Sequence, residues 1–299
     1  MENRKERGAS LLILIAGCCW GMIGLFSRAL AKAGLDPLQL TMLRSLVLAL
    51  STGAFIGVKD REKLRLAGRD LPLFLGSGIG SIAFFNICYF LSIRENTLSL
   101  AALLLYTAPS FVVLLSRFIF HEKITPRKQI SLLLSFTGLF FAAGVFRSSQ
   151  PIHLPGIAAG LGSGIGYALY TIFSRLALKK YHLSTVIHYT FLISAAALLP
   201  FSRPAEIAAL IAEDPRMLRN ILLLGWLCTL LPFVLYTKGM ERMEAGKAAI
   251  FAFVEPAVAT LIGVSVFGEK LTVMNLGGIA LIVLSIVILN SRSSDIRSE

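Results

Sequence analysis

A chain of 299 residues that is 56% hydrophobic and only 15% charged is too poor in charge for soluble globular domains, which carry about a quarter. Its apolar residues run in stretches of roughly 20, the length that crosses about 30 Å of hydrocarbon, so the chain reads as one integral membrane protein. The net charge of +12 is no nucleic-acid footprint, because the Lys and Arg sit in short loops between apolar runs, where they set orientation.

Residues 1–9 form a short basic tail with Arg4, Lys5 and Arg7. Ten apolar segments follow, at 10–31, 37–58, 71–92, 98–119, 127–146, 155–176, 184–201, 218–239, 246–267 and 272–290, and a polar tail begins at Ser291. The first segment is long enough to stay as a membrane helix rather than serve as a cleaved signal. Continuous runs, not ten-residue alternations, predict helices rather than barrel strands. The 204–217 link (PAEIAALIAEDPRM) has the length for a short interfacial helix, against which its acidic residues weigh. Cys18, Cys19, Cys88 and Cys228 all fall inside apolar runs without metal or disulfide spacing and read as packing residues.

With the N-terminus inside, cytoplasmic loops collect most of the basic residues, among them Lys59 to Arg69, Arg117 to Lys128, Arg175 to Lys180, Lys238 to Lys247, Arg292 and Arg297. The other side receives Arg28, Lys32, Arg94, Arg147, Arg203, Arg216, Arg219 and Lys270. The asymmetry predicts a multi-pass protein of the cell (inner) membrane with both termini cytoplasmic.

The fourth and ninth segments superpose without a gap at a shift of 147. Ala101/Ala248, Ala102/Ala249, Pro109/Pro256, Leu114/Leu261, Phe120/Phe267, Glu122/Glu269, Lys123/Lys270 and Thr125/Thr272 coincide. The same shift carries Phe26-Ser27-Arg28 onto Phe173-Ser174-Arg175, Gly17 onto Gly164, Trp20 onto Tyr167 and Tyr89 onto Tyr236. Each repeat therefore holds five helices, with expected limits 10–146 and 155–290 between tails 1–9 and 291–299. Five is odd, so the second copy enters the membrane from the opposite side. Inverted repeats imply a site near the midplane that opens to either face in turn, the architecture of a transporter.

Trp20-Gly21 in the first helix, the Arg44-led run in the second, Pro109 followed by Glu122, and Glu255-Pro256 followed by Glu269 resemble, in order and spacing, the EamA-type ten-helix permeases of the drug/metabolite transporter superfamily. The resemblance covers about Leu11 to Leu289. It implies an all-helical basket around a central cavity, with the fifth and tenth helices at the periphery. It also implies small organic solutes, often amino acids or related metabolites, frequently exported. The two halves depart from each other where Ala108 stands opposite Glu255 and Phe191 opposite Arg44, so the cavity is expected to be chemically asymmetric.

Glu255 falls near mid-depth, where a carboxylate must face a cavity, be paired or be protonated. Pro256 removes a backbone donor and frees a carbonyl one turn earlier, near Ala252. The carboxylate reads either as a substrate or proton site or as a structural group at a helix kink; Pro109 predicts the matching kink. The guanidinium fork of Arg44 suits a substrate carboxylate, unless it snorkels or pairs with Glu255. His188 is a candidate proton relay, though a lone His near a helix end more often lies at the interface. Asn86 and Tyr89 share a helix face, and Trp20, Tyr106, Tyr167, Tyr170 and Tyr236 add rings with polar tips that either line a pocket or pack between helices. Four Gly-x-x-x-Gly pairs, at Gly17/Gly21, Gly53/Gly57, Gly76/Gly80 and Gly160/Gly164, predict close helix approach.

No phosphate loop, metal-ligand spacing or nucleophile–base constellation is present in the sequence, so no cofactor, metal or enzymatic activity is expected. The reading is a secondary transporter, an exporter of small metabolites such as amino acids, working by alternating access with proton linkage. The alternatives are a facilitative carrier or exchanger of a nucleoside, amine or drug-like compound, and, behind these, an intramembrane lipid-modifying enzyme. Expected partners are a small solute and the lipid bilayer, not nucleic acid; a monomer suffices, and a dimer is compatible.

Overall fold

The computed structural model describes residues 2–142 and 152–291, with side chains from Gly8 onward. The tail side chains Arg4, Lys5 and Arg7, the end of the fifth segment at 143–146, Arg147, Arg292 and Arg297 lie outside the description. Among the described residues every regular element is helical.

The first rod is α1 (Glu2–Gly21) and α2 (Ile23–Lys32), interrupted at Met22. The second, α3 (Pro37–Lys59), starts where its sequence says it should. Asp36 accepts from the Gln39 N–H and the Gln39 side chain accepts from the Asp36 N–H, both at 2.8 Å, with Pro37 in the first turn. The third comprises α4 (Leu71–Leu75), a π-helical stretch Gly76–Ala83 and α5 (Phe84–Glu95). The fourth is α6 (Leu98–Leu105) and α7 (Ala108–Ile119), and the fifth is α8 (Pro126–Ala142). The second half runs through α9 (Leu154–Ala177) and α10 (Leu183–Leu198). The 204–217 link does form a helix, α11 (Pro204–Glu213). Then come α12 (Arg216–Gly225), a π-helical stretch Trp226–Leu230 and α13 (Leu231–Met240). Last are α14 (Ala245–Phe251), α15 (Val254–Phe267) and α16 (Val273–Asn290). Among the described residues nine rods are long and apolar enough to cross a membrane; α8 contributes 17 residues up to the limit of the description.

The interruptions carry the duplication. The π-helical stretches lie in the third and eighth rods, and the fourth and ninth are each broken by a two-residue turn, Tyr106-Thr107 and Ala252-Phe253. Pro109 and Pro256 explain the breaks, since each lacks an N–H and its ring collides with the carbonyl four residues earlier. The carbonyl expected to lie free at Ala252 is not free: it accepts from the Glu255 N–H at 3.0 Å. The break therefore closes on itself as a turn instead of presenting an open acceptor to a ligand. That is what a solvent without hydrogen bonds enforces.

The end of α9 and the start of α1 lie at one face of the bundle. Arg175 donates to the Met243 carbonyl at 2.7 Å, and Gly239, three residues before Arg242, abuts Ala9 and Ile13. The repeats are thus inverted. We call the face where α1 begins the near face and the opposite one the far face. Gly17 and Gly21 let α1 approach α15, and Gly160 and Gly164 let α9 approach Leu104 and Thr107. The other two Gly-x-x-x-Gly pairs are not packing stripes: Gly57 and Gly80 face open space, while their partners Gly53 and Gly76 abut His188 and Phe173.

Helices α8 and α16 form an antiparallel pair beside the basket, with α16 the least buried of the nine apolar rods. Ser131 donates to the Ser285 carbonyl at 2.9 Å, the Ser135 and Ser285 hydroxyls meet at 2.6 Å, and Asn275 donates to the Ala142 carbonyl at 2.8 Å. Gly138 and Gly278 bring the backbones together. A Cβ on Gly278 would stand 2.6 Å from the Ala142 nitrogen, whereas one on neighbouring Gly277 meets nothing within 4 Å. Gly278→Ala should therefore destabilise the protein by about 1–3 kcal/mol, while Gly277→Ala should leave stability unchanged or slightly raised. Thermal unfolding of the two variants in one detergent measures the difference.

Candidate functional site

Between the two repeats lies a cavity of about 460 Å³, within the range of small-molecule sites. It opens toward the far face between the ends of α2, α5 and α15 and the start of α3, where Arg28, Ile93, Phe267 and Pro37 line it. Its deep wall is aromatic. Trp20 packs edge-on against Phe233 at 5.2 Å between centroids and lies 6.5 Å from its repeat counterpart Tyr167, which in turn meets Phe85 at 5.6 Å.

Three polar groups interrupt this wall. Arg44, from α3, lines the cavity with a buried Nε that has no hydrogen-bond partner. Glu255, at the start of α15, lines the same cavity together with Tyr106 from the break in the fourth rod. Thr41, one turn before Arg44, donates to the Asn86 side chain at 3.0 Å, and Asn86 donates to the Ile82 carbonyl at 2.8 Å. The helix break at Ala252-Phe253 is what aims the first turn of α15, and with it Glu255, at the cavity.

Trp20, Arg44, Asn86, Tyr89, Tyr106, Tyr167 and Glu255 therefore share one cavity. Tyr170, Tyr236 and His188 do not line it. The Tyr170 hydroxyl meets Thr237 and the Tyr236 hydroxyl meets Thr171, each at 2.9 Å, so both tips are spent between α9 and α13. Their rings still support the aromatic wall, through Phe233 and Trp20. His188 is buried between α10 and α3, its Nδ1 3.0 Å from the Ala49 carbonyl and 3.3 Å from the Thr52 hydroxyl. Pro109 and Pro256 sit in the first turns of α7 and α15, at the breaks described above.

The asymmetry between the halves has a spatial form. Phe191, the counterpart of Arg44, is fully buried against Phe233 at 4.6 Å. Ala108, the counterpart of Glu255, is buried among Val112, Ala168 and Ala249. The two charged positions thus exist only once, one contributed by each half, and both line the cavity.

The near end of the bundle is shut by charges that the sequence places in loops. Glu122 is buried. Its Oε1 accepts from the Ala245 N–H at 2.8 Å and its Oε2 from the Gly246 N–H at 3.2 Å, at the start of α14. Arg175 lies 3.3 Å from the same carboxylate. Lys128, only 1% exposed, stands 3.5 Å from Glu122 and 2.8 Å from Glu244. Loop position alone hid this cluster. Its signal was the in-step recurrence of Arg28/Arg175, Phe120/Phe267 and Glu122/Glu269, which shows the duplication but not the contacts. Among the described residues no group of three or more His, Cys, Asp or Glu is arranged to hold a metal.

The profile of the EamA-like transporter family matches the chain twice, at residues 7–144 and 154–291. A protein of Archaeoglobus fulgidus described as an uncharacterized transporter is 30% identical, over 95% of this chain and 97% of its own. Transporter YwfM of Bacillus subtilis is 26% identical, over 94% and 93%. A "probable amino-acid metabolite efflux pump" of Salmonella typhimurium is 24% identical, over 96% and 95%. A crystal structure of a chain 20% identical superposes with a TM-score of 0.77, over 94% and 95% of the two chains, and shares the fold. Matched in both halves, and built of apolar rods around a central cavity, this chain belongs to the EamA-like transporter family of the drug/metabolite transporter superfamily and is a multi-pass membrane protein.

Proposed function

We propose that this protein is a secondary transporter that exports a small zwitterionic metabolite of the amino-acid class, by alternating access through the central cavity. The observation that carries the reading is that Arg44 and Glu255 line one aromatic-walled cavity, with the Arg44 Nε left unpartnered. Arg44 receives the substrate carboxylate through its planar fork. Glu255 receives the ammonium or a proton, and the exchange of one for the other links solute flux to a proton gradient. Trp20, Tyr167 and Phe85 take the apolar part of the solute. The polar pair also discriminates, because a solute lacking either charge leaves a buried group unsatisfied. The name of the Salmonella relative supports the substrate class and direction. Loop charge supports a cytoplasmic near face, which makes this structure the outward-open state.

Transport of labelled amino acids into proteoliposomes, with nucleosides and amines as competing arms, tests the substrate class. Arg44→Gln should lower apparent affinity about 10- to 100-fold, the range of a charge-assisted hydrogen bond lost; unaltered affinity sinks the carboxylate role. Glu255→Gln should abolish acceleration by a pH gradient, while solute exchange at zero gradient persists at a raised KM because the ammonium loses its charged partner. Gradient dependence that survives the substitution removes Glu255 from coupling.

A further inference from the structure

The closed near end and the open far end are built from the same parts. At the near end Arg175 stacks on Phe120 at 5.2 Å and pairs with Glu122. At the far end Arg28 stacks on Phe267 at 4.2 Å and pairs with Glu269 at 2.8 Å. All three residues are counterparts at the 147-residue shift. So is the backbone that presents the carboxylate: the Glu122 N–H donates to the Ser116 carbonyl at 3.2 Å and the Glu269 N–H to the Gly263 carbonyl at 3.1 Å. Gly263 leaves room for the Glu269 carboxyl to fold back over α15, where a Cβ would stand 3.0 Å from its carboxyl carbon.

What differs is the occupant. The near unit holds the start of α14, through the Ala245 and Gly246 N–H groups on Glu122 and the Met243 carbonyl on Arg175. The helix is locked in place: Gly246 is packed so close to α7 that a Cβ would lie 3.1 Å from Val113. The counterparts of those occupants are Leu98, Ser99 and the carbonyl of Asn96, at the start of α6. Yet α6 and α15, the counterparts of α14 and α7, are not packed together. The Arg28 and Glu269 side chains are about half exposed at the mouth of the cavity. The first N–H groups of a helix have no acceptor within the helix and carry its positive dipole end, so α6 supplies the donors that Glu269 lacks.

We propose that Arg28, Phe267 and Glu269 form a ready-made socket for the start of α6, entered when the far mouth closes, and that α14 leaves Glu122 in the same step. The coupling of the two events rests on the alternating-access reading above; the socket itself does not. The near socket carries one addition. Lys128 ties Glu122 to Glu244, whereas the far counterparts of Lys128 and Glu244 are Asn275, engaged with Thr272 and the Ala142 carbonyl, and Thr97, which caps the Leu100 N–H. That extra ion pair holds the near end shut in the absence of solute and accounts for the open far end.

The test uses full-length protein in proteoliposomes with the four native cysteines replaced. Ser99→Cys and Thr260→Cys, the counterparts of the touching Gly246 and Val113, report far-mouth closure by oxidative cross-linking. The pair should cross-link, Glu269→Gln should slow it about fivefold, and Lys128→Asn should speed it by a similar factor, both being effects of charge at a helix start. Arg94→Gln, an exposed far-face charge outside the socket, should leave the rate unchanged. No cross-link, or a rate indifferent to Glu269→Gln in protein that elutes as the parent does, overturns the socket. Transport read on the same vesicles separates the two ideas. A Glu269-dependent cross-link in protein that still moves solute while cross-linked upholds the socket and removes alternating access. Solute movement blocked by a cross-link indifferent to Glu269 does the reverse.

Discussion

One buried carboxylate decides whether the space between the repeats is a pocket or a pore. Glu122 draws α14, α8 and α9 together by accepting two backbone N–H groups and facing two cations. A carboxylate taken out of water at this depth is costly alone. Here its four partners come from three different helices, so satisfying the charge and shutting the bundle are the same event. Remove the carboxylate and Lys128, almost fully buried, keeps only one carboxylate, the half-exposed Glu244, beside the Lys123 carbonyl to offset its desolvation.

Of the helices that meet at this carboxylate, α14 belongs to a broken rod, whereas α8 and α9 are continuous. The N–H groups that α14 offers Glu122 are those of a helix start, which have no acceptor within the helix. The turns at Tyr106-Thr107 and Ala252-Phe253, forced by Pro109 and Pro256, bring the Glu255 carboxylate and the Tyr106 hydroxyl to the same wall. The same proline that breaks α15 from α14 keeps its freed carbonyl paired in a three-residue turn. Hydrocarbon surroundings thus allow irregular backbone where protein surrounds it and nowhere else.

Duplication followed by divergence gives the cavity its polarity. Each half carries one of the two charges, Arg44 in the first and Glu255 in the second, and their counterparts Phe191 and Ala108 are both buried in apolar contacts. A symmetric arrangement would require two sets of desolvated groups to be satisfied at once; a single set leaves the counterpart positions free to pack. At the two ends the opposite holds. The Arg–Phe–Glu units are present in both halves, and only their surroundings, Lys128 with Glu244 against Asn275 with Thr97, differ.

The number, length and order of the rods were legible in the sequence, because a 20-residue apolar run is a local property set by the thickness of the bilayer. So were the duplication and the proline breaks; of the ten polar and aromatic candidates that mid-membrane polarity and helix spacing offered, seven line the cavity. The helix at Pro204–Glu213 formed despite its acidic residues, since Glu206 and Arg203 find partners in each other and in Gln39 and Asp36 of α3. Tyr170, Tyr236 and His188 look in sequence like Tyr167 and Arg44, and only the packing of α9, α10 and α13 shows that their polar atoms are already spent. Lys128 looked like a loop charge for the same reason: sequence shows which residues are charged, but burial and pairing depend on helices far apart in the chain. Composition and periodicity determined that this protein spans a membrane as two inverted copies. Which copies of the same residues meet, and so which end is shut, was decided by tertiary contacts alone, because an ion pair between repeats has no local signature.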